Sequence, residues 1–272
     1  MGKGVKCKDI IECIEELAPA RLAETWDNSG LNVGSEEQDV NSVLLCLDTT
    51  KAAVDEACRV GANMIISHHP MLFSPIRRIN IDSVIGSIIK KLLVNEISVY
   101  CAHTNVDRTF GGLNDLLFGL LGLLPSEVQS ADASNDSFEF YRIGKLDREM
   151  SFKEFCEYVS SRLRQPDIMA TFSDQQDHNR RMIRKVAVMC GSFDIGVDVL
   201  KCNSVDAVVS GELKHHQALE LNDMGIGAVI AGHHGTERFF INLVERWIRD
   251  RYPDVKIYSY GFDSPPVRRL LL

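Results

Sequence analysis

The chain lacks the sequence features of several common protein classes. No apolar run approaches the length of about 20 residues that a membrane-spanning helix needs, and residues 1–6 contain no apolar core of a secretory signal. With a formal net charge of −8, the chain also lacks the positive charge through which many nucleic-acid binders contact phosphates. We therefore expect a cytoplasmic protein that binds small molecules, metal cations or other proteins, without direct contact to nucleic acid or membranes.

The eight cysteines lack the pairing of a disulfide or zinc-binding framework. None stands in a C-x-x-C pair, and Cys46 and Cys190 lie in apolar runs, where a reduced thiol packs as a small core side chain. The chain also has no G-x-S-x-G sequence, no phosphate-binding loop ending in Lys-Ser/Thr and no G-x-G-x-x-G that opens a helix. These absences leave serine-hydrolase, P-loop and dinucleotide-binding functions without support.

Strand and helix patterns alternate along the chain, which predicts mostly parallel or mixed sheets covered by helices. The predicted strands cover residues 43–47, 64–66, 97–102, 185–190, 206–209, 228–230 and 255–260. The predicted helices cover residues 48–60, 81–94, 112–121, 195–202, 213–224 and 237–249. One more helix begins at Ser151, which forms a capping box with Glu154. The expected fold class is α/β.

Seven of the eight histidines fall in four clusters, and two of these clusters follow strands of the buried type. The pair His68-His69 follows the strand over 64–66, and the pair His233-His234 follows the strand over 228–230. In an open α/β sheet, the carboxyl ends of strands line the crevice where ligands bind. Because adjacent residues of an extended chain point to opposite sides, each pair could serve two metal ions, or one ion and one hydrogen bond.

Two acidic residues could complete a metal site with these histidines. Asp107 follows the strand that ends at His103, where an aspartate can equally cap a turn. Glu237 stands four residues after His233, where an acid in the first turn of a helix is the alternative to a ligand that bridges two ions. Imidazole and carboxylate together suit Zn, Mn, Fe, Co or Ni. Two such ions about 3.5–4 Å apart would activate water for hydrolysis at neutral pH.

Two further motifs have both a structural and a functional interpretation. His215 and His216 stand in the first turn of a predicted helix, where they could transfer protons or contact anions, or belong to an ordinary solvated helix face. Residues 26–34 combine an aromatic anchor, Trp26, with polar residues and glycines. Such a sequence is also typical of a tight turn before a strand.

Two polar segments without periodicity, over 126–137 and 173–181, predict a linker and a loop. Together with the strand pattern they predict two intertwined α/β lobes. Residues 1–125 plus 227–272 would form the metal-binding lobe, and residues 126–226 would form an inserted second α/β lobe. The metal site would lie in the cleft.

Six motifs occur in one order along the chain: WDNSGLNVG (26–34), LCLDTT (45–50), SHHP (67–70), AHTNVDRTFGGLND (102–115), SGELKHHQALE (210–220) and AGHHGTER (231–238). Together they resemble the GTP cyclohydrolase I type 2 family, the Nif-three-like dinuclear metal-binding proteins. Residues 126–185 carry no motif of this family. The resemblance implies a two-lobed α/β fold, a site for two divalent metal ions per subunit and a homohexamer.

The resemblance also implies roles for individual residues. The implied metal ligands are His68, His69, Asp107, His233 and Glu237. Under this match Glu237 bridges the two ions and His234 is not a ligand. His103 is expected to orient a ligand from outside the metal's coordination sphere.

Three hypotheses on function follow. In the first, the chain is a metal-dependent hydrolase that uses metal-activated water to open the guanine ring of GTP or to attack a similar small molecule, with His215 or His216 moving protons. In the second, it is a non-catalytic metal-binding regulatory or interaction protein. In the third, the histidines are scattered core and surface residues that hold no metal.

Overall fold

The computed structural model describes residues 4–125, 139–172, 181–262 and 265–267. The chain forms two compact units, Met1–Thr109 with Arg238–Ser264 and Phe110–Glu237 with Pro265–Leu272. The predicted linker over 126–137 and nearly all of the predicted loop over 173–181 lie outside the described residues. Within the described ranges, no helix has both the length and the apolar character needed to cross a bilayer.

The first unit is built on a five-stranded sheet. Its strands, numbered in chain order, are β1 (Gly30–Val33), β2 (Ser42–Cys46), β3 (Met64–Ser67), β4 (Ser98–Cys101) and β11 (Lys256–Ser259). Its helices are α1 (Cys7–Leu17), α2 (Lys51–Val60), α3 (Val84–Val94), α4 (Thr104–Arg108) and α10 (Phe240–Arg251), with a 3-10 turn at Ala20–Leu22. The strand order is β1-β4-β3-β2-β11, in which β1 alone pairs antiparallel.

The central strands β2, β3 and β4 are buried along their whole length, as their continuous apolar sequences predict. Fully buried side chains such as Leu44 and Ile65 each contribute about 2 kcal/mol of hydrophobic free energy. Helix α2 begins after Thr50, whose hydroxyl accepts a hydrogen bond of 3.1 Å from the Ala53 amide. It ends at Gly61, where a φ of +70° favours a residue without a side chain.

The parallel register brings the carboxyl ends of three strands to one edge of this sheet. Cys46 of β2 lies beside Ser67 of β3, and Ser67 lies beside Cys101 of β4. The residues that follow these positions, including His68 and His103, therefore leave the sheet at the same edge.

The second unit is built on a six-stranded sheet. Its strands are β5 (Leu124–Pro125), β6 (Arg142–Ser151), β7 (Met169–Thr171), β8 (Met182–Ser192), β9 (Ala207–Glu212) and β10 (Gly227–Ile230). Its helices are α5 (Leu113–Leu120), α6 (Phe152–Leu163), α7 (Val197–Cys202), α8 (His215–Asp223) and α9 (His233–Glu237). The strand order is β5-β6-β8-β9-β10-β7, and β8, β9 and β10 run parallel.

The predicted fold class is confirmed, since both sheets are mixed and covered by helices. The capping box at Ser151 is also present, with the Glu154 carboxylate accepting a hydrogen bond of 2.8 Å from the Ser151 amide. The compact units divide after Thr109 and after Glu237, whereas the sequence placed the divisions after residues 125 and 226. The difference at the second division arises because β10 pairs with β9 and β7, so the strand before His233 belongs to the second unit.

The predicted helix over 237–249 is wrong at its beginning. The chain forms two helices here, α9 ending at Glu237 and α10 beginning at Phe240. The amide of Thr236 donates to the carbonyl of Gly232 at 3.1 Å, so the first helix already begins at His233. Glu237 is therefore the last residue of its helix, which rules out its interpretation as a first-turn acid.

Candidate metal centre

Three histidines of the first unit form a cluster at the carboxyl edge of its sheet. His68 and His69 follow β3, and His103 follows β4. One ring nitrogen from each of the three lies within 4.8 Å of the others. His68 is fully buried, whereas His69 and His103 are partly exposed. We call these three residues the histidine cluster; it offers nitrogen donors, of which those of His69 and His103 belong to partly exposed side chains.

Each ring of the histidine cluster has its Nδ1 atom next to an oxygen acceptor. His68 Nδ1 lies 3.0 Å from the Ala102 carbonyl oxygen, and His69 Nδ1 lies 2.9 Å from Asp48 Oδ1. His103 Nδ1 lies 2.8 Å from Asp27 Oδ1. Because a carbonyl or carboxylate oxygen only accepts, Nδ1 carries the proton in each ring. A neutral ring then presents the Nε2 lone pair, which is the arrangement typical of metal-binding histidines.

The acceptor of His103 is itself held in place. The side chain of Asp27 has no exposed surface, and it also accepts hydrogen bonds from Ser29 Oγ at 2.8 Å and from the Thr104 amide at 3.2 Å. Burial raises the pKa of Asp27, but the hydrogen bonds from His103, Thr104 and Ser29 outweigh it and hold the pKa well below the usual range of an aspartate. Asp27 therefore stays ionised at neutral pH and fixes the orientation of His103.

Asp107 lies in the short helix α4 and not in the open turn that the sequence indicated. Its Oδ1 atom lies 3.6 Å from Nε2 of His68, and the residue is buried. Helix α4 is anchored by Asn105, whose side-chain amide donates to the Ala18 carbonyl at 2.7 Å. The structure thus brings the Asp107 carboxylate to the ring nitrogen of His68 on the opposite side from the Ala102 carbonyl.

The second unit holds one histidine and one carboxylate with the same arrangement. His233 and Glu237 are the first and last residues of α9, one helical turn apart. His233 Nε2 lies 2.9 Å from Glu237 Oε2, and its Nδ1 lies 3.1 Å from Glu212 Oε1 at the end of β9. We call His233 and Glu237 the helix pair; here too an acid faces Nδ1 while Nε2 points to a carboxylate.

A glycine makes room for the Glu237 side chain. Gly191 of β8 has a φ of +61°, and a Cβ atom there would lie 2.2 Å from Glu237 Oε1. The Gly191 amide donates to Thr236 Oγ1 at 3.1 Å, which ties β8 to α9. A side chain at position 191 would therefore displace the buried carboxylate.

The two histidines proposed for proton transfer lie elsewhere in the second unit. His215 and His216 begin α8, and both are exposed. Within the described residues neither belongs to a group of three potential ligands. Their catalytic role stays a prediction.

The donor set fits a divalent transition metal. Within the first unit the donors are three imidazoles and the Asp107 carboxylate, and within the second unit they are the imidazole and carboxylate of the helix pair. Nitrogen and carboxylate donors of this kind suit Zn, Mn, Fe, Co and Ni without selecting one of them.

Sequence reasoning missed the acids that face the Nδ1 atoms. Asp27 was interpreted as part of a turn, while Asp48 and Glu212 received no role. Each lies in a motif that the sequence had singled out, and Asp48 and Glu212 stand at or just after the ends of strands β2 and β9. His103 was assigned to orienting a ligand, whereas its ring lies within the histidine cluster itself.

Comparisons with known proteins match this chain over most of its length. Residues 5–266 match the family profile described as Duf34/NIF3 (NGG1p interacting factor 3). The chain is 34% identical over 236 residues to a "GTP cyclohydrolase 1 type 2 homolog" of Clostridium acetobutylicum, covering 86% of this chain and 85% of the relative.

Solved structures show the same fold. The chain is similar to reduced HcgD from Methanocaldococcus jannaschii, with 30% identity, a TM-score of 0.77 and coverage of 95% and 99% of the two chains. It also matches a Bacillus cereus protein related to NIF3, with 24% identity, a TM-score of 0.83 and coverage of 99% and 100%. With its matched residues spanning nearly the whole sequence, the chain belongs to the DUF34/NIF3 family.

Proposed function

We propose that this chain binds two divalent metal ions and acts as a metal-dependent hydrolase on a purine nucleotide or a similar small molecule. The observation that carries the proposal is shared by four histidines: each has its Nδ1 within 3.1 Å of an oxygen acceptor, a contact that orients the ring and is typical of metal-binding histidines. A histidine on an ordinary protein surface does not depend on such an acceptor, whereas the ring of a metal ligand is almost always oriented by one.

The proposed ligands are His68, His69, Asp107, His233 and Glu237, of which Glu237 would bridge the ions. His103 is added as a further nitrogen donor because its ring lies in the histidine cluster. Bound divalent ions would polarise a substrate oxygen and lower the pKa of water. Asp27 and Asp48 would make the imidazoles that they face more basic, and Glu212 would do the same for His233.

GTP is the first substrate to test. The Clostridium acetobutylicum relative carries a name derived from GTP cyclohydrolase, and the chain's own net charge of −8 means that a triphosphate needs local positive charge. Two divalent ions would supply that charge. His215 and His216 stay candidates for proton transfer, and loss of turnover with normal metal content in their alanine variants would support that role.

The test combines metal content with turnover. Purified protein should hold two divalent ions per subunit by inductively coupled plasma mass spectrometry, and Mn- or Zn-loaded protein should consume GTP. The matched variants are His233→Ala and His234→Ala, which remove neighbouring imidazoles of one helix. Loss of metal in His233→Ala but not in His234→Ala supports the ligand assignment. Equal metal content in the two variants contradicts it.

A second candidate function is metal-dependent binding or regulation without turnover. The family description, NGG1p interacting factor 3, favours it because it names an interaction and not a reaction. Metal-loaded protein that consumes neither GTP nor related nucleotides would support this candidate over the hydrolase.

We also propose a homohexamer, as the family resemblance implies. Light scattering coupled to size exclusion should then give six times the chain mass of 30.5 kDa. A monomeric or dimeric mass would contradict this proposal without affecting the metal assignment.

A further inference from the structure

Two large aromatic side chains of the first unit lie exposed next to each other. Trp26 is 56% exposed and Phe73 is 58% exposed. Their ring centroids lie 5.9 Å apart with an angle of 47° between the planes. We call these residues the aromatic pair. Aromatic rings left open to water forgo the free energy of burial, so a paired exposed surface of this kind is typical of a binding site.

Hydrogen bonds join the two segments that carry the aromatic pair. The Leu72 amide donates to Asn32 Oδ1 at 3.3 Å, and the Leu72 carbonyl accepts from Asn28 Nδ2 at 2.7 Å. Asn32 Nδ2 also donates to the Asn28 carbonyl at 3.0 Å. The backbone amide and carbonyl of Leu72, the residue before Phe73, are thus both hydrogen-bonded to the segment that follows Trp26. This arrangement positions the two rings before any ligand arrives, which lowers the entropic cost of binding.

One ring of the aromatic pair, Trp26, lies next to the histidine cluster. The Trp26 ring centroid lies 6.0 Å from that of His103, and the rings meet edge to face. The His103 ring in turn lies 5.1 Å from His68 and 5.5 Å from His69. A ligand long enough to span one further ring from His103 could therefore reach both the histidine cluster and Trp26.

We propose that the aromatic pair binds the flat ring of a planar heteroaromatic ligand whose other end reaches the histidine cluster. Only the position of that other end rests on the proposed function. Every heteroaromatic base has a π face, so aromatic side chains bind such rings with little dependence on their substituents. Because the two rings are tilted to each other, one stacks on the face of the ligand while the other contacts its edge.

The experiment uses the fluorescence of Trp26. The chain has two tryptophans, so Trp247→Phe leaves Trp26 as the sole reporter. Guanosine should quench this fluorescence with saturation, and ribose at the same concentrations should not. Adding Phe73→Leu should raise the dissociation constant about tenfold, which lies within the range for base–aromatic stacking. The control is Phe110→Leu, which removes an aromatic ring that is 73% exposed and belongs to the second unit.

A second pair of variants distinguishes loss of the aromatic ring from misfolding of the protein. By calorimetry, Trp26→Ala should weaken guanosine binding about tenfold, and Trp26→Phe should restore most of it because a ring is again present. Equal affinity of all three proteins would overturn the inference. A change in oligomeric mass in Trp26→Ala would also overturn it, since a second copy of the chain would then cover the rings.

Metal content, measured in the same proteins, separates this inference from the proposed function. Saturable quenching in protein that takes up no metal would support the aromatic site and contradict the metal assignment. Two bound ions without any quenching by guanosine would support the metal assignment and contradict the aromatic site.

Discussion

In both the histidine cluster of the first unit and the helix pair of the second unit, each histidine Nδ1 atom faces an oxygen acceptor. The two groups are nevertheless built differently. The cluster takes its rings from the ends of β3 and β4, so its geometry depends on the pairing of strands far apart in the sequence. The helix pair comes from the two ends of one five-residue helix, so its spacing is set locally. The cluster also includes the fully buried His68, whereas the side chain of His233 is one-third exposed. The histidine cluster is therefore organised by the sheet, and the helix pair by a single helical turn.

The largest effect should follow from removing His68. It is buried, and its Nε2 lies 3.6 Å from Asp107, so His68→Ala deletes the nitrogen of the histidine cluster that already faces a carboxylate. We expect metal affinity to fall by more than about 100-fold, because loss of an outer hydrogen-bond partner alone costs 10–100-fold. Titration calorimetry measures this fall. The exposed His216→Ala should bind metal normally, and an unchanged affinity in His68→Ala would contradict the ligand assignment.

The next effect should follow from Asp27→Asn. The amide keeps the size of the side chain but removes the negative charge behind His103, so metal affinity should fall about 10–100-fold. Calorimetry at neutral pH measures it. If His103 takes no part in metal binding, Asp27→Asn will bind metal as the wild type does.

Asp27 should also make the stability of the first unit depend on pH. Its pKa is lowered in the folded state, so its stabilising effect is present at neutral pH and is lost as the pH falls below the usual aspartate range of about 4. Wild-type protein should be about 2 kcal/mol more stable than Asp27→Asn at pH 7, and the difference should shrink in acid. Urea denaturation at several pH values tests this, and a constant difference would show that the charge is not stabilising.

In the second unit, Gly191→Ala should be destabilising and should weaken metal binding. The new methyl group would meet Glu237 Oε1, and the positive φ adds strain, so we expect a loss of about 1–3 kcal/mol in unfolding free energy. Gly111→Ala is the matched control, because Gly111 has a φ of +72° but nothing within 4 Å of the place that an added methyl group would take. Only Gly191→Ala should lower metal affinity. Equal affinities would mean that Glu237 is not a ligand.

The smallest effect should follow from Glu212→Gln. Glu212 faces His233 Nδ1 as Asp27 faces His103, but its side chain is more than half exposed. Solvent screening weakens such a contact, so metal affinity should fall by less than about tenfold. A loss as large as that of Asp27→Asn would show that solvent exposure does not weaken the contact of Glu212 with His233.

The sequence predicted the positions of the histidines better than their surroundings. Apolar runs ending in His68 and His233 are local signals, and strand ends are where such residues meet. The contacts of Asp27 with His103 and of Asp48 with His69 join residues 76 and 21 positions apart, which only the strand register brings together. The break between Glu237 and Phe240 was missed because apolar periodicity continues across it.

The register of β3 against β4 limits where this chain can change in length. His68 and His103 are counted from the ends of these strands, so one residue inserted within β3 would turn the following side chains to the opposite face of the sheet. His68 would then lose the Ala102 carbonyl that fixes its tautomer. We therefore expect the connection between Phe73 and α3 to tolerate insertions and deletions, and the segment between Met64 and His69 not to tolerate them.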